Sequence, residues 1–152
     1  MKYYIKAIGI NDSPISVYEG CFPRMLLEYM CFQTNQGIVQ RLKEGDKLVI
    51  YCLSNGVIEF PGGGFIGIQD VLDTVIPDKK RLFRKGWDSI VKIEPRIFSF
   101  SKRISLNEVR HWEGKSQMLD NALAANLEAI GGLWEIEKND YSRFLKKFLK
   151  TL

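Results

Sequence analysis

The sequence predicts an α+β protein in which helices flank a small, closed or nearly closed β-sheet. Residues 48–53 form an almost unbroken apolar run rich in strand formers, which is typical of a strand buried on both faces. Glycine-rich breaks separate this run from a second strand at residues 65–72, with Ile66 and Ile68 on one face. From Tyr141 onward the apolar residues recur at helical spacing, with lysines on the opposite side. We therefore expect two paired strands at the centre of the fold and a helix at its end.

The remaining elements are assigned from apolar periodicity and from start and stop signals. Strands are predicted at residues 2–10, 87–93 and 133–136. The second of these continues over residues 97–100 beyond a bulge. The first predicted helix begins at Pro23 and has Leu26, Leu27 and Met30 on one side. The second begins at Asn35, with Ile38, Val39 and Leu42 as an apolar stripe. The third begins at Ser116 and runs to Ile130. No repeat or linker divides the chain, so we expect one domain over residues 1–152.

Composition indicates an ordinary globular protein. The 152 residues are 45% hydrophobic and 26% charged, which is enough apolar material for a core. No apolar run approaches the ~18 residues of a membrane span. The N-terminus lacks the pattern of a signal peptide, so we expect an intracellular, cytoplasmic protein. Cys21, Cys31 and Cys52 form no metal or redox motif and are expected to be buried, reduced thiols.

The net charge of +4 is concentrated in one short stretch, residues 79–85, which we call the basic segment. Asp78 is the acidic residue beside it, and the other charges of the chain cancel. The basic residues are Lys79, Lys80, Arg81, Arg84 and Lys85. Such a cluster is suited to phosphate binding, and a solvated loop is the alternative interpretation.

No catalytic motif is recognisable in the sequence. The single histidine, His111, excludes a site built from several histidines. The Gly114-Lys115-Ser116 segment resembles the end of a phosphate-binding loop, but Arg110 stands where that motif needs a glycine. We therefore expect no catalytic residue, metal or cofactor.

Aromatic residues are numerous, with three Trp, six Tyr and nine Phe. Trp87, Trp112 and Trp134 each stand at a predicted element boundary, where a ring is partly packed and partly available to a ligand. Ordinary boundary packing is the alternative for each of them. Tyr29 and Phe32 lie in a predicted loop just before the second helix.

Several short segments, in their order and spacing, resemble the EVE domain of the PUA-like superfamily, to which YTH and ASCH domains also belong. The matching segments are Lys43-Glu44-Gly45-Asp46-Lys47 followed by Leu48-Val49-Ile50-Tyr51, Phe65-Ile66-Gly67-Ile68, Ile76-Pro77-Asp78 followed by Arg81-Leu82-Phe83, Trp87 to Pro95, and Gly131 to Ile136 followed by Asp140-Tyr141. They cover most of residues 29–148. The resemblance implies a barrel-like sheet of five or six strands flanked by helices.

The resemblance also implies a non-catalytic module in which an aromatic pocket takes a flipped, modified base of DNA or RNA, for example a methylated one. The family's cage aromatic falls on Tyr29, and its polar segment falls on residues 34–36. A later cage aromatic is expected to be replaced by Trp134. The expected nucleic-acid-binding residues are Tyr29, Phe32, Asn35, Gln36, Tyr51, Lys79, Lys80, Arg81, Arg84, Lys85, Trp87 and Trp134. We expect a monomer that binds nucleic acid alone or beside a nuclease or motor subunit.

Two other functions remain open. Some ASCH-type relatives hydrolyse modified nucleosides with Lys, Thr and Glu, and Thr34, Lys47 and Glu59 are residues of those types here. The third possibility is a domain that binds a small molecule or another protein. Binding to bare nucleic acid separates the first function from the third, and turnover of a modified nucleoside separates the second from both.

Overall fold

The computed structural model describes residues 1–8, 27–32, 37–52, 64–83, 86–99, 101–125, 127 and 132–150. Within these residues the chain forms eight strands, three α-helices and a 3-10 turn. The strands are β1 Tyr3–Ile8, β2 Tyr29–Phe32, β3 Lys47–Cys52, β4 Gly64–Val71, β5 Ile76–Pro77, β6 Ser89–Phe98, β7 Ile104–Ser105 and β8 Leu133–Ile136. The helices are α1 Leu106–Arg110, α2 Gln117–Ala124 and α3 Lys138–Lys150, and the described part of the chain contains no helix long and apolar enough to cross a membrane.

Six strands form a continuous sheet in the order β2-β6-β4-β3-β1-β8, and the short strands β5 and β7 pair with β6 and β4. β1 and β3 run parallel, whereas the other pairs are antiparallel. The sheet is curled, because side chains from its two end strands pack into one buried cluster. The predicted α+β class, with a barrel-like sheet flanked by helices and the run from residue 48 at its centre, is confirmed.

The Gly45-Asp46 turn holds the start of β3 against β1 and β4. Gly45 has a φ of +95°, a left-handed conformation that favours glycine. The Asp46 carboxylate accepts hydrogen bonds from the backbone N–H groups of Lys2 at 2.8 Å and Lys43 at 3.1 Å. The Asp46 carbonyl accepts a third from the N–H of Val71 at 2.9 Å. This turn therefore sets the register of the parallel strand pair, on which the position of the β1 side chains depends.

A β-bulge at Ile66 interrupts the alternation of β4 side chains between the two faces of the sheet. The register of β3 on β4 shifts between Ile50 and Tyr51, which leaves Ile66 as an extra residue. Ile66 and Ile68 consequently belong to different buried clusters. The prediction that these two side chains share a face is wrong, because the extra residue interrupts the two-residue period of the strand.

Two hydrophobic cores lie on opposite faces of the sheet. The first core is enclosed by the curled strands, and the second core lies between the sheet and the three helices. Phe144 and Phe148 of α3 are fully buried in the second core, and the Phe144 ring centroid lies 4.7 Å from that of Phe65. Tyr141 and Leu145 pack at the edge of the same core, so the predicted docking of the final helix is confirmed.

The helices predicted before β3 and after Ser116 are shorter than expected. Between residue 37 and the start of β3, the only helical element is the 3-10 turn Val39–Arg41. The helix capped by Ser116 ends at Ala124, and Leu127 then has a φ of +53°, which a right-handed helix does not allow. The first predicted helix start, Pro23, lies outside the described residues.

Residues 29–32 form a strand rather than the predicted helix end and loop. They pair with the long strand β6, whose hydrogen-bonding groups supply a partner that the local sequence does not reveal. β6 itself runs through Pro95 to Phe98 with a register shift, as the predicted bulge and extension require. Cys31 and Cys52 are buried thiols, as predicted, and Cys21 lies outside the described residues.

Candidate nucleic-acid interface

Lys6 is a buried lysine in an otherwise apolar strand. It lies in β1 between Tyr4 and Ile8, on the face that lines the first core. Lys6 is 1% exposed, and its Nζ atom has no hydrogen-bond partner in the described part of the chain. Its neighbours across the sheet are Ile50 of β3 and Leu133 of β8, which offer no polar side-chain atom.

Burial lowers the pKa of Lys6 from 10.5 to about 8, because the ammonium group loses its hydration in the core. The neighbouring Cys31 thiol on β2 acts in the opposite direction, by favouring the charged lysine, and is the smaller effect. Lys6 therefore remains mostly protonated at neutral pH. At neutral pH, the protonated form of Lys6 thus lies buried in the first core.

Two aromatic rings surround this charge. The Lys6 Nζ atom lies 4.6 Å from the centroid of the Phe32 ring and 5.4 Å from that of the Trp87 ring, within the range of cation–π attraction. Phe32 is fully buried at the end of β2, whereas Trp87 is half-buried just before β6. We call these three residues the Lys6 cluster. Because Trp87 is partly exposed, the cluster extends from the first core to the protein surface.

The basic segment lies directly beside the Lys6 cluster. Ser89 of β6 pairs with Phe32 of β2 on one side and with Pro77 of β5 on the other. Adjacent strands are separated by about 4.8 Å, so the backbones of Phe32 and Pro77 are about 10 Å apart. The backbone N–H of Asp78 also donates to the carbonyl oxygen of Asp88, the residue after Trp87, at 2.8 Å. The sheet thus places the aromatic rings and the first basic residues at the same edge.

Asp78 shapes the backbone of the basic segment. Its buried carboxylate accepts hydrogen bonds from the N–H groups of Leu82 and Phe83, each at 2.9 Å. The turn leaves Lys79, Lys80 and Arg81 exposed. Around it lies a shallow depression of about 370 Å³ lined by Pro77, Asp78, Lys79, Arg81 and Asp88. The Asp78 carboxylate is occupied by backbone donors, so the exposed ends of the basic side chains are available to a phosphate backbone.

The predicted binding residues fall into four groups. Tyr29, Phe32 and Trp87 lie at the first core, and Lys79, Lys80 and Arg81 lie next to it. Tyr51 and Trp134 belong to the second core, so the structure does not bring Trp134 to Tyr29 as the expected cage requires. Strand alternation explains this, since Trp134 pairs with Ile5, a residue of the second-core face. Four predicted residues lie outside the described part of the chain: Asn35, Gln36, Arg84 and Lys85.

Sequence reasoning did not identify Lys6. The available signal was a charged residue within a strand whose other residues are aromatic, aliphatic or small. Such a lysine is usually assigned to a solvated face. Only the tertiary structure shows that both faces of β1 are buried and that two rings from distant segments meet this ammonium.

The arrangement is suited to binding a ligand. The described residues contain no group of three His, Cys, Asp or Glu side chains close enough to hold a metal ion. Of the residues considered for a hydrolase, Lys47 donates from Nζ to the Asp70 carboxylate at 2.7 Å. Thr34 and Glu59 lie outside the described residues. An ammonium between two rings, beside an exposed basic turn, fits a flat aromatic ligand attached to phosphates.

Comparisons with known proteins identify solved structures with a similar fold. No protein-family model and no curated protein sequence matches the chain. A hypothetical protein from Leishmania major aligns with 99% of this chain and 96% of its own, with a TM-score of 0.65 and 13% identity. An NMR structure from Rhodopseudomonas palustris aligns with 99% of this chain and 94% of its own, with a TM-score of 0.63 and 11% identity.

Human THYN1, in a crystal structure with DNA that contains 5-methylcytosine, aligns with 96% of this chain and 96% of its own, with a TM-score of 0.55 and 12% identity. At such identities the similarity concerns the fold alone. The chain therefore shares the mixed α+β fold of these proteins, among them the DUF55 domain of human thymocyte nuclear protein 1.

Proposed function

We propose that this protein is an EVE-type, non-catalytic module that binds nucleic acid and captures a modified base at the Lys6 cluster. The basic segment contacts the phosphate backbone, and the base stacks on the half-buried Trp87 ring, which lies beside Lys6. The observation that carries the proposal is the position of two rings and a buried ammonium directly beside the exposed basic turn. The module acts alone or as the specificity domain of a nuclease or motor.

Base stacking and phosphate contacts together offset the free-energy cost of extruding a base. Extruding a base from a duplex costs a few kcal/mol. Stacking on an aromatic side chain contributes ~1–3 kcal/mol per base and tolerates any base. Lys79, Lys80 and Arg81 add phosphate contacts, which bring the strand to the site without reading its sequence. The similarity to human THYN1, whose structure contains 5-methylcytosine DNA, makes methylated DNA the first ligand to test.

Titration with matched oligonucleotides at two salt concentrations tests the backbone contact. Replacing Lys80 and Arg81 together by Ala should weaken binding equally for modified and unmodified strands. The slope of log K against log salt should shrink by about one for each lost phosphate contact. Lys146 and Lys150, exposed on α3, provide the matched control, because their replacement by Ala removes the same charge elsewhere.

The same titration tests the aromatic contact. Trp87→Ala or Tyr29→Ala should cost ~1–3 kcal/mol of binding free energy, mainly with the preferred modified base, and should leave the salt slope nearly unchanged. Trp134→Ala is the matched control, since its ring lies at the second core. Absence of salt-dependent binding to any DNA or RNA would refute the proposal. Full discrimination by the Trp87 and Tyr29 variants would make the protein a backbone binder only.

A further inference from the structure

We infer that Lys6 is the hydrogen-bond donor that selects the base, so that the site takes a base presenting acceptor atoms to the Lys6 ammonium. Among modified bases the strongest ligand of this kind has an anionic substituent, such as the carboxyl group of 5-carboxycytosine. A methyl group in the same position is the weaker ligand. This inference rests on the proposed function and specifies its ligand.

Among the described residues, the Lys6 ammonium has no hydrogen-bond partner, and the Cys31 thiol beside it is at most a weak acceptor. The side chains opposite it in β3 and β8 are Ile50 and Leu133, and the two rings offer only their faces. A buried ammonium without a hydrogen-bonded counter-ion is unfavourable, and protein interiors normally pair such charges. A methionine of similar length would fill the same space without this cost. Among the described residues, the structure thus contains a buried donor without a hydrogen-bond partner beside the half-buried Trp87 ring.

The geometry of the cluster specifies what satisfies this donor. A lysine ammonium carries three N–H donors and no acceptor. Phe32 and Trp87 cover it at 4.6 and 5.4 Å and stabilise the charge, but a ring face accepts no strong hydrogen bond. A carboxylate or carbonyl oxygen supplies the missing acceptor, and hydrogen bonds between two charged groups are about twice as strong as neutral ones. A methyl group leaves the ammonium unsatisfied and excludes water from it.

The Trp87 ring indicates where the ligand enters. Trp87 is half-buried, while Lys6 and Phe32 are within 1% of complete burial. Trp87 is therefore the member of the cluster that a base can reach from solvent, and the Lys6 Nζ atom lies 5.4 Å from its ring centroid. The exposed basic turn beside Trp87 holds the adjoining phosphates, so a polynucleotide ligand satisfies both groups together.

The test measures the affinity ratio of two oligonucleotides that differ only in one base, 5-carboxycytosine or 5-methylcytosine. We expect the wild-type protein to favour the carboxylated strand by about tenfold or more, from one charge-assisted hydrogen bond. In Lys6→Met the ratio should fall to about one or below, because the carboxylate then meets an apolar group. In the Lys146→Ala control the ratio should remain that of the wild type. Thermal unfolding of Lys6→Met confirms that it is folded.

Raising the pH provides a second measurement on the unaltered chain. The titratable groups of the first core in the described residues are Tyr4 on β1, Cys31 on β2 and Cys52 on β3, with Tyr29 packed at its edge. The wild-type ratio should fall as the pH rises above about 8, where Lys6 loses its proton, with the bound carboxylate delaying that loss. The ratio of Lys6→Met should not show this decline.

The outcomes separate the two proposals. If the wild-type protein binds neither strand in a salt-dependent manner, the proposed function fails and the inference fails with it. If it binds both strands with the expected salt slope but Lys6→Met leaves their ratio unchanged, only the inference is overturned. A wild-type preference for the methylated strand over the carboxylated one also overturns it.

Discussion

Buried polar groups on the two faces of the sheet differ in their hydrogen bonding. On the helix-covered face, the Asp140 carboxylate accepts hydrogen bonds from the Ser116 N–H at 3.1 Å, the Ser116 hydroxyl and the Glu137 N–H at 2.9 Å. On the other face, the Lys6 Nζ and the Tyr4 hydroxyl have no hydrogen-bond partner in the described part of the chain. The Asp140 carboxylate is therefore hydrogen-bonded, whereas the Lys6 ammonium has no partner among the described residues.

This difference concerns what each buried group contributes to the fold. Asp140 stands in the first turn of α3, accepts the N–H that precedes the helix, and also joins α3 to the start of α2. Lys6 makes no such hydrogen bond among the described residues, and burial of its ammonium has a free-energy cost. The second core should therefore determine stability, and the Lys6 cluster should determine binding.

The largest expected effect is on the second core. Phe144→Ala or Phe148→Ala should lower the free energy of unfolding by about 3–5 kcal/mol, since both rings are fully buried. Chemical denaturation measures this loss. The control is Leu149→Ala, because Leu149 lies on the same helix and is 52% exposed. Losses below about 1 kcal/mol for both phenylalanines would contradict the structural role assigned to this face.

A second effect has the opposite sign and concerns the first core. Lys6→Met should raise the free energy of unfolding at pH 7 by up to about 3 kcal/mol, since burial lowers the pKa of Lys6 from 10.5 to about 8. Below pH 8 the unfolded and folded lysine are both protonated, so the full cost is present. Between pH 8 and 10.5 only the unfolded lysine keeps its proton, so wild-type stability rises relative to the variant.

Denaturant unfolding at pH 7 and at pH 10 measures this difference between the two proteins. The advantage of Lys6→Met should shrink at the higher pH. Other titrating groups, including Tyr4, are present in both proteins and cancel. A variant that is less stable than wild type at pH 7 would show that the ammonium contributes to folding, which contradicts the proposed contrast between the cores.

The loss of Asp140 should have an intermediate effect. Asp140→Ala leaves the N–H groups of Ser116 and Glu137 without their acceptor, so we expect a loss of about 2 kcal/mol. Asp120→Ala is the control, because Asp120 is an exposed acidic residue in the first turn of α2. Equal losses in the two variants would mean that the helix dipole, rather than this hydrogen-bond network, accounts for the effect of Asp140.

The smallest stability effect is expected in the basic segment. Lys80→Ala and Arg81→Ala change exposed side chains, so the free energy of unfolding should stay within about 0.5 kcal/mol of wild type. Their effect should be on nucleic-acid affinity instead. A thermal melt of each variant, together with the salt titration, compares the two properties directly. A stability loss above about 1 kcal/mol would give this segment a structural role as well.

The sequence by itself determined the elements whose periods are long and unbroken. The apolar run at residues 48–53 specified a central strand, and the spacing of Tyr141, Phe144 and Phe148 specified the final helix. The basic segment was equally visible, since charge is a property of composition. Local signals succeed here because each depends on residues a few positions apart.

The tertiary structure alone decided the contents of the candidate site. β2 became a strand because β6 supplied its hydrogen-bond partners, and the bulge at Ile66 redistributed one strand between two cores. Trp134 was assigned to the second core by its pairing with β1. Lys6, Phe32 and Trp87 are far apart in the chain and meet only because the sheet curls. No local sequence pattern predicts the curling of the sheet, because it depends on contacts between strands that are distant in sequence.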